Sequence, residues 1–271
     1  QIQKACPIFQ GIHLNKTDTK KYFKLLLLLL VLFILFFVKS NSIFFIKENS
    51  SNNYEHKWPI NSTENTIQGS NLNYECNDEI KEIGCNCYKD SDCINQNCVK
   101  YPNTSYCSPK NGDIFPEFVG SDQYNQKVNL YNFGNQNKYI IIELATTWCK
   151  ACKTLADWLA NDNLEIKNKR WWKDEYIKVK ELIQNNELYY ITILYEKNDR
   201  KLPNYLTAQN WFKSYPDENI PILIDEKKEI HKWVKPTGIP TTILLNEKME
   251  IVNFSTRGIN SSFDKVLKII K

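Results

Sequence analysis

The sequence predicts an α/β fold from Gly112 onward, and three observations support this prediction. Apolar runs separated by turn residues begin at Gly112, where the Asn- and Cys-rich composition of the preceding residues ends. Residues 138–145 (KYIIIELA) form a short run rich in Ile, typical of a strand buried on both faces of a mostly parallel sheet. Strand-like and helix-like segments then alternate, which indicates one sheet with helices on both sides.

The strands are predicted where β-branched and aromatic residues are concentrated. After the first strand, the segment ELYYITILY carries this composition most clearly. A turn is expected between the third and fourth strands of the prediction. The predicted strands are residues 138–145, 187–195, 220–224, 241–246 and 249–254.

The helices are predicted from apolar spacing and from residues that favour helix starts. One helix is expected to begin at the cysteines of the motif WCKAC and to continue to residue 160. Residues 170–184 carry apolar side chains close to helical spacing and are predicted to form an amphipathic helix. Further helices are predicted around residues 208–214 and over residues 261–270, the last with Ser261 as its N-cap.

Charge is balanced along the chain, with 35 basic and 31 acidic residues and a formal net charge of +4. No long block of one sign occurs, so the composition does not indicate a nucleic-acid interface. With 42% hydrophobic and 24% charged residues, the chain has the composition of a globular protein. Its length allows one core of ordinary size plus appendages, because domains typically contain about 100 to 150 residues.

An uninterrupted apolar run occupies residues 25–38, between Lys24 and Lys39. As a helix it would cover about 21 Å, which is short for a bilayer core of about 30 Å. It is therefore either part of a cleaved signal peptide or the centre of a signal anchor over residues 22–46. The basic residues before it and a second apolar patch at residues 43–46 favour the anchor. In either case residues 1–21 stay in the cytoplasm and the chain after about residue 47 is exported.

Residues 47–75 are polar and Asn-rich, and they are predicted to form a flexible linker because they cannot bury enough apolar surface. A cysteine-rich disulfide module is predicted over residues 76–110, where few aliphatic residues could build a core and an oxidising compartment would preserve crosslinks. A zinc site is the alternative, although this segment lacks both His and C-x-x-C. The sequence does not choose a pairing, and Cys6 has no identifiable partner. The module's cysteines are Cys76, Cys85, Cys87, Cys93, Cys98 and Cys107.

Cys149 and Cys152 form a C-x-x-C pair between a predicted strand and a predicted helix. A thiolate attacks a disulfide, so a redox cysteine needs its charge stabilised at neutral pH. At the first turn of a helix, unpaired backbone N–H groups and the helix dipole provide that stabilisation. We therefore predict Cys149 as the exposed attacking thiol and Cys152 as the more buried resolving thiol. A structural crosslink or a zinc site is the alternative, but no metal is expected because this domain lacks a second C-x-x-C.

At this motif the sequence resembles the thioredoxin superfamily, and in particular its redoxin-like, membrane-anchored TlpA/ResA branch. The resemblance covers residues 112–271 and rests on GDIFPEF, IIELATTWCKAC, PILIDEKKEI and GIPTTILLNEKMEI. It implies a thioredoxin fold, a central mixed sheet flanked by helices, over residues 111–271. It also implies redox chemistry carried by the two cysteines, with no cofactor.

The resemblance further implies a substrate-binding role for Ile239 and Pro240. Pro240 matches the family's cis proline opposite the redox pair, where the preceding Ile239 can pair with an extended substrate strand. An ordinary trans proline at the start of an edge strand is the alternative. Trp148 is expected to pack beside the cysteines and shield them, although a plain core aromatic residue would look the same.

Glu143 stands six residues before Cys149 on an otherwise apolar strand. It matches a position where the family often carries a buried acid. A carboxyl group desolvated there should have a raised pKa and could take the proton from Cys152. The alternative is that Glu143 points to solvent at the edge of the strand.

The predicted function is that of an exported thiol-disulfide oxidoreductase that reduces or exchanges disulfides in other extracytoplasmic proteins. Its partners would be protein disulfides and a membrane or exported electron donor. Its catalytic domain would lie outside the cytoplasm, in a periplasm, at a cell surface or in a lumen. Because Lys150 lies next to Cys149 and favours the thiolate, a net disulfide oxidase or isomerase stays open. A non-catalytic binding protein that uses the cysteine-rich module is the third alternative.

Overall fold

The computed structural model describes residues 27–30, 33, 58–59, 72, 76, 79–101 and 103–270. The chain divides into two compact units, Gln1–Glu55 and His56–Lys271. In the first unit, residues 27–30 and 33 are helical and exposed. No helix in the described ranges is both long and apolar enough to cross a bilayer. Most of the predicted tail, anchor and linker (residues 1–21, 22–46 and 47–75) lies outside the described residues.

The second unit is built around a large mixed sheet and a small hairpin. The strands are β1 (Cys98–Tyr101), β2 (Thr104–Cys107), β3 (Val119–Ser121), β4 (Lys127–Asn129), β5 (Tyr139–Thr146), β6 (Leu188–Glu196), β7 (Ile222–Ile224), β8 (Thr241–Leu245) and β9 (Ile251–Asn253). The large sheet has the order β4-β3-β7-β6-β5-β8-β9, and β1 pairs with β2 in the hairpin. Strands β5, β6 and β7 are parallel, whereas all other neighbours are antiparallel.

Helices cover both faces of the large sheet. They are α1 (Lys150–Asn161), α2 (Ile177–Gln184), α3 (Tyr205–Ser214), α4 (Glu229–Val234) and α5 (Asn260–Ile269). Buried side chains of α4 pack on one face, and those of α1, α2 and α5 pack on the other. The central mixed sheet with flanking helices confirms this part of the predicted fold class.

Strand β5 is the central element that positions the candidate site. Every residue of β5 after Tyr139 is buried, and alternate side chains point to opposite faces of the sheet. Ile140, Ile142 and Leu144 join the apolar cluster that contains α4, whereas Ile141 joins the cluster under α1. Because both faces are covered, an unbroken apolar run is the sequence that this strand requires.

The helix predicted over residues 170–184 is wrong in its first half, because α2 covers only the second half. Lys173 is extended, with φ −135° and ψ 135°, and the Trp172 Nε1 group donates to Asp174 Oδ1 at 3.1 Å. Trp171 and Trp172 nevertheless pack against the cluster under α2. Their spacing therefore reflects the packing of an irregular segment. A prediction based on the spacing of apolar residues made the helix too long.

The start of α5 and the existence of α4 also differ from the prediction. The N-cap of α5 is Ile259, and Ser261 lies inside the helix. Helix α4 occupies part of the segment predicted as a turn. Asp225 explains why this short helix forms, because its carboxylate accepts hydrogen bonds from the backbone amides of Glu229 at 2.7 Å and His231 at 3.1 Å.

Disulfides crosslink the cysteine-rich segment, as the sequence predicted. The pairs are Cys76–Cys85, Cys87–Cys98 and Cys93–Cys107. The Sγ atoms of Cys87, Cys93 and Cys107 lie within 4.8 Å of one another, but each belongs to a disulfide and is not the thiolate that zinc binds. The described part of this segment lies in the same compact unit as the large sheet.

Candidate active site

Cys149 lies in the turn that joins the end of β5 to the start of α1. It is the N-cap of α1, with φ −74° and ψ 110°, and its backbone amide donates to the Thr146 carbonyl oxygen at 3.2 Å. The Cys149 Sγ atom accepts a hydrogen bond from the Cys152 amide at 3.0 Å. This amide is one of the N–H groups at a helix start that have no partner within the helix. The turn therefore places a sulfur where a negative charge is stabilised.

The two cysteines of the motif are joined in a disulfide. Cys149 exposes 5% of its surface, whereas Cys152 exposes none. Cys149 is thus the more exposed of the two, in the order that the sequence predicted. It is itself buried in the disulfide form, however, so the predicted exposed thiol is not seen in this form.

The disulfide lies in an apolar cluster under α1 and α3. Ala145 from β5 and Trp211 from α3 are among its buried members, and Ile239 packs against it from the segment before β8. An apolar environment excludes water from the sulfurs and strengthens the electrostatic effect of the helix N-terminus. The buried members of the cluster are Ala145, Cys149, Cys152, Ala156, Leu194, Ala208, Trp211, Ile222 and Ile224.

The peptide bond between Ile239 and Pro240 is cis, as the resemblance implies. Pro240 is buried, and its carbonyl oxygen accepts a hydrogen bond from the Gly258 amide at 2.7 Å. Ile239 is partly buried and contacts the cluster that contains Cys149 and Cys152. Within the described part of the chain, the backbone N–H and C=O groups of Ile239 make no hydrogen bond with other backbone groups.

Trp148 is partly exposed and packs against the cysteine cluster. Its Nε1 group donates to the Glu196 carboxylate at 2.8 Å, and the guanidinium of Arg200 stacks on the indole at 3.6 Å from the ring centre. Lys228 also donates to Glu196, at 2.6 Å. Trp148 is thus held in one orientation directly before Cys149.

Sequence reasoning missed Glu196, Arg200 and Lys228. Glu196 is the last residue of β6 and pairs with Thr146, the last residue of β5. Neighbouring parallel strands end at the same edge of a sheet, so an acidic residue at the end of the next strand was a usable signal. Arg200 lies only four residues after Glu196 in the sequence, close enough for an ion pair. The contact of Lys228 with Glu196 depends on the tertiary fold.

Glu143 lies inside the sheet with 1% of its surface exposed, so the alternative of a solvent-facing carboxyl group is excluded. The Thr192 hydroxyl donates to Glu143 Oε2 at 2.9 Å. Burial raises the pKa of Glu143 to about 7, although the hydrogen bond from Thr192 opposes this rise. The buried hydroxyl of Tyr190 on β6 also opposes this rise, so it lies near the carboxyl group, but neither it nor Oε1 forms a hydrogen bond of normal geometry in the described structure. These groups form a polar pocket that can hold or release a proton near neutral pH.

Glu143 and the cysteines share one face of the sheet. Side chains two residues apart in a strand point to the same side, so Glu143 lies on the face of Ile141 and Ala145. Ala145 belongs to the cluster of Cys149 and Cys152. The structure therefore brings Trp148, Cys149, Cys152 and Ile239 together in one cluster, and Glu143 lies on the same side of the sheet, two residues before Ala145.

No family model and no curated protein matches this chain. Among solved structures, it is similar to the thioredoxin domain of a thiol-disulfide oxidoreductase from Bacteroides vulgatus, with 15% identity, a TM-score of 0.43, and coverage of 60% of this chain and 100% of the other. A putative protein disulfide isomerase from Bacteroides thetaiotaomicron is 16% identical, with a TM-score of 0.41 and coverage of 59% and 87%. A putative thiol:disulfide interchange protein from Chlorobium tepidum is 14% identical, with a TM-score of 0.39 and coverage of 54% and 84%. At this level of similarity, none of the three determines what this chain does.

Proposed function

We propose that this chain is a thiol-disulfide oxidoreductase that acts on disulfides of other proteins through Cys149 and Cys152. One observation carries the proposal: Cys149 is the N-cap of α1, is bonded to Cys152, and has the only exposed surface of the pair. A crosslink that only stabilised the fold would need neither a helix N-terminus nor an opening to solvent.

In the reducing direction the reaction has two steps. The Cys149 thiolate attacks one sulfur of a substrate disulfide, and the other substrate sulfur leaves as a thiolate. Cys152 then loses its proton and attacks Cys149 Sγ, the second substrate sulfur leaves, and the Cys149–Cys152 disulfide forms. Two electrons pass from the pair to the substrate, and a membrane-bound or exported thiol donor must reduce the pair again.

We assign to Glu143 the role of the base that accepts the proton of Cys152. A base works best when its pKa lies near the working pH, and burial brings the pKa of Glu143 to about 7. Oε1, which makes no hydrogen bond of normal geometry in the described structure, is the atom to which we assign this proton. In the oxidising direction the same carboxyl group would return the proton to Cys152.

Ile239 and Trp148 are the residues we assign to substrate contact. The backbone groups of Ile239 are not engaged by other described backbone groups, so an extended substrate segment can pair with them as an added strand. Trp148 offers a fixed, partly exposed aromatic surface next to Cys149. Both contacts would place a substrate disulfide near the one sulfur that is open to attack.

We further propose that residues 22–46 anchor the protein in a membrane and that the second unit lies outside the cytoplasm. The apolar run in the sequence supports the anchor. The disulfides between residues 76 and 107 support the oxidising compartment, since such bonds are rare in a reducing cytosol. The TlpA/ResA-like branch named by the resemblance has the same arrangement.

Substitution of each cysteine tests the proposed function. We expect Cys149→Ser to abolish the reduction of insulin disulfides, and Cys152→Ser to accumulate a mixed disulfide with the substrate. Cys6→Ser is the matched control and should leave turnover unchanged. Turnover retained by Cys149→Ser would refute the assignment of the reaction to Cys149. A wild-type Cys149 that does not react with an alkylating agent after mild reduction would favour the binding-protein alternative.

The direction of electron flow has a second candidate, net oxidation or isomerisation. Lys150 is exposed directly after Cys149, and a neighbouring cation stabilises the reduced thiolate form and makes the pair a stronger oxidant. Equilibrating the Cys149–Cys152 pair with glutathione buffers measures its reduction potential. A potential well below that of the compartment identifies a reductase, and a higher one identifies an oxidase or isomerase.

A further inference from the structure

The cysteine-rich module contacts the segment that leads into Ile239 and Pro240. Lys235 directly follows the end of α4, and its Nζ group donates a hydrogen bond to the Gly84 carbonyl oxygen at 2.8 Å. The same ammonium group lies 4.3 Å from the centre of the Tyr106 ring. Tyr106 is 1% exposed, so the contact with Lys235 is buried.

The contacts of the Lys235 ammonium group lie in the module. Lys235 is partly buried, and this burial lowers the pKa of its ammonium group. A partly buried cation needs polar partners, because removal from water destabilises its charge. No carboxylate forms an ion pair with Lys235 in the described ranges, and the partners shown for the ammonium group are the Gly84 carbonyl and the Tyr106 ring. The module therefore compensates the burial of this lysine.

Two further contacts join the module to the same region. The Tyr101 hydroxyl donates to the Pro236 carbonyl oxygen at 3.4 Å. Ile83 lies in the same apolar cluster as Trp233 and Val234, the last two residues of α4. The module thus contacts Lys235 and Pro236 directly and shares an apolar cluster with the end of α4.

The other end of this segment is held by the large domain. The backbone amides of Thr237 and Gly238 both donate to the Thr256 carbonyl oxygen, at 2.8 and 3.2 Å. Residues 235–238 are therefore fixed at both ends, by the module and by the chain after β9. Ile239, whose backbone groups make no hydrogen bond with other described backbone groups, comes next.

We propose that the cysteine-rich module is a brace for the substrate-contacting segment, with Lys235 as its positioning residue. This rests on the proposed function, because it treats Ile239 as a contact for an extended substrate. A segment that is ordered before binding loses less conformational freedom when a substrate strand pairs with it. The brace therefore favours binding of protein disulfides and leaves the exchange chemistry of the two sulfurs unchanged.

Lys235→Met tests the brace, because Met keeps the apolar stem and removes the ammonium group. Lys232→Met, an exposed lysine on α4, is the matched control. We expect faster amide hydrogen exchange in residues 235–241 of Lys235→Met and a KM for insulin raised by roughly threefold to tenfold. The kcat of this variant for insulin should stay unchanged. Its rate with cystine should also stay unchanged, because cystine is too small to pair as a strand. Lys235→Arg, which restores a donor and a cation, should return both quantities toward wild type.

Unchanged exchange in Lys235→Met, or an unchanged KM despite faster exchange, would overturn the brace. An equal loss of the cystine and insulin rates would also overturn it, since that would place the effect on the sulfurs. If Lys235→Met does not fold, Tyr101→Phe removes a single hydroxyl and is judged by the same measurements. A wild-type protein inactive on both substrates would refute the proposed function, while hydrogen exchange would still decide whether the module orders the segment.

Discussion

The indole of Trp148 and the carboxylate of Glu196 are joined by a hydrogen bond of 2.8 Å between Nε1 and Oε1. Because Glu196 pairs with Thr146 across the two central parallel strands, this bond ties the turn at Cys149 to the end of β6. Arg200 stacks on the indole and donates to the same carboxylate at 3.1 Å. The aromatic residue next to Cys149 is therefore fixed from two directions.

Replacing Glu196 with Gln keeps an acceptor for Trp148 but removes the negative charge. Burial alone would raise the pKa of Glu196, but hydrogen bonds from Lys228, Arg200 and Trp148 outweigh it and hold the pKa below its usual value. A carboxyl group with a lowered folded-state pKa stabilises the protein above its unfolded-state pKa, and this stability is lost as pH falls through the folded-state value. We expect the free energy of unfolding of Glu196→Gln to be about 1 kcal/mol lower than that of wild type at neutral pH.

Urea unfolding at neutral and at acidic pH measures this difference. The difference in the free energy of unfolding should disappear once the pH is well below 4.5, the ordinary pKa of a glutamate side chain. Glu181→Gln, an exposed residue of α2, is the control and should change little. A difference that persists in acid would show that the charge of Glu196 is not its source.

Glu143→Gln should have the opposite dependence on pH. Burial raises the pKa of Glu143 from 4.5 to about 7. A group with a raised folded-state pKa contributes stability below its unfolded-state pKa and loses it as pH rises through the folded-state value. As the pH rises between these two values, the free energy of unfolding of wild type should therefore fall by about 3 kcal/mol relative to that of the variant. Unfolding across this window measures the loss, and exposed Glu187→Gln should give a flat difference.

The same variant tests the proton transfer assigned to Glu143. Without a base for the Cys152 proton, release of the mixed disulfide should slow by about 100-fold. Single-turnover measurements that trap the mixed disulfide with acid would report this step separately from the first attack. A release rate equal to that of wild type would leave Glu143 with a structural role only.

Lys180→Met should destabilise the protein without affecting the cysteines. The Lys180 side chain is 7% exposed and pairs with Asp162, and its Nζ group donates to the Trp158 carbonyl oxygen at 2.8 Å. That carbonyl lies in the last turn of α1, where acceptors lack partners within the helix. We expect the free energy of unfolding of Lys180→Met, measured by thermal or urea unfolding, to be about 2 kcal/mol lower than that of wild type. Lys178→Met, an exposed position of the same helix, should cost far less.

Asp225→Ala should destabilise α4. The Asp225 carboxylate accepts from the amides of Glu229 and His231, and loss of such a cap typically costs about 1 to 2 kcal/mol. Glu226→Ala, the exposed neighbour, is the control. Equal stability of the two variants in urea unfolding would show that the helix forms without this cap.

The sequence predicted the strand, turn and helix around Cys149 because their signals are local. The Ile-rich run fits a strand buried on both faces, and C-x-x-C at a helix start has a direct electrostatic reason. The buried state of Glu143 was also predictable, since a lone acid within an apolar strand shares the burial of its neighbours.

Features that depend on distant contacts were not predictable in this way. The role of Glu196 requires the register between β5 and β6. Helix α4 depends on a single cap from Asp225, and the hairpin of β3 and β4 has only three residues in each strand. The disulfide pairing depends on the three-dimensional path of the module, which the spacing of its cysteines does not specify.

In the proposed reaction, the unequal exposure of Cys149 and Cys152 would set the order of the two steps. An external disulfide would form its adduct on Cys149, because Cys152 has no exposed surface. The second step would then be intramolecular, so its rate would not depend on the concentration of the partner. Burial of Cys152 would give the same adduct even if the two thiols were equally nucleophilic.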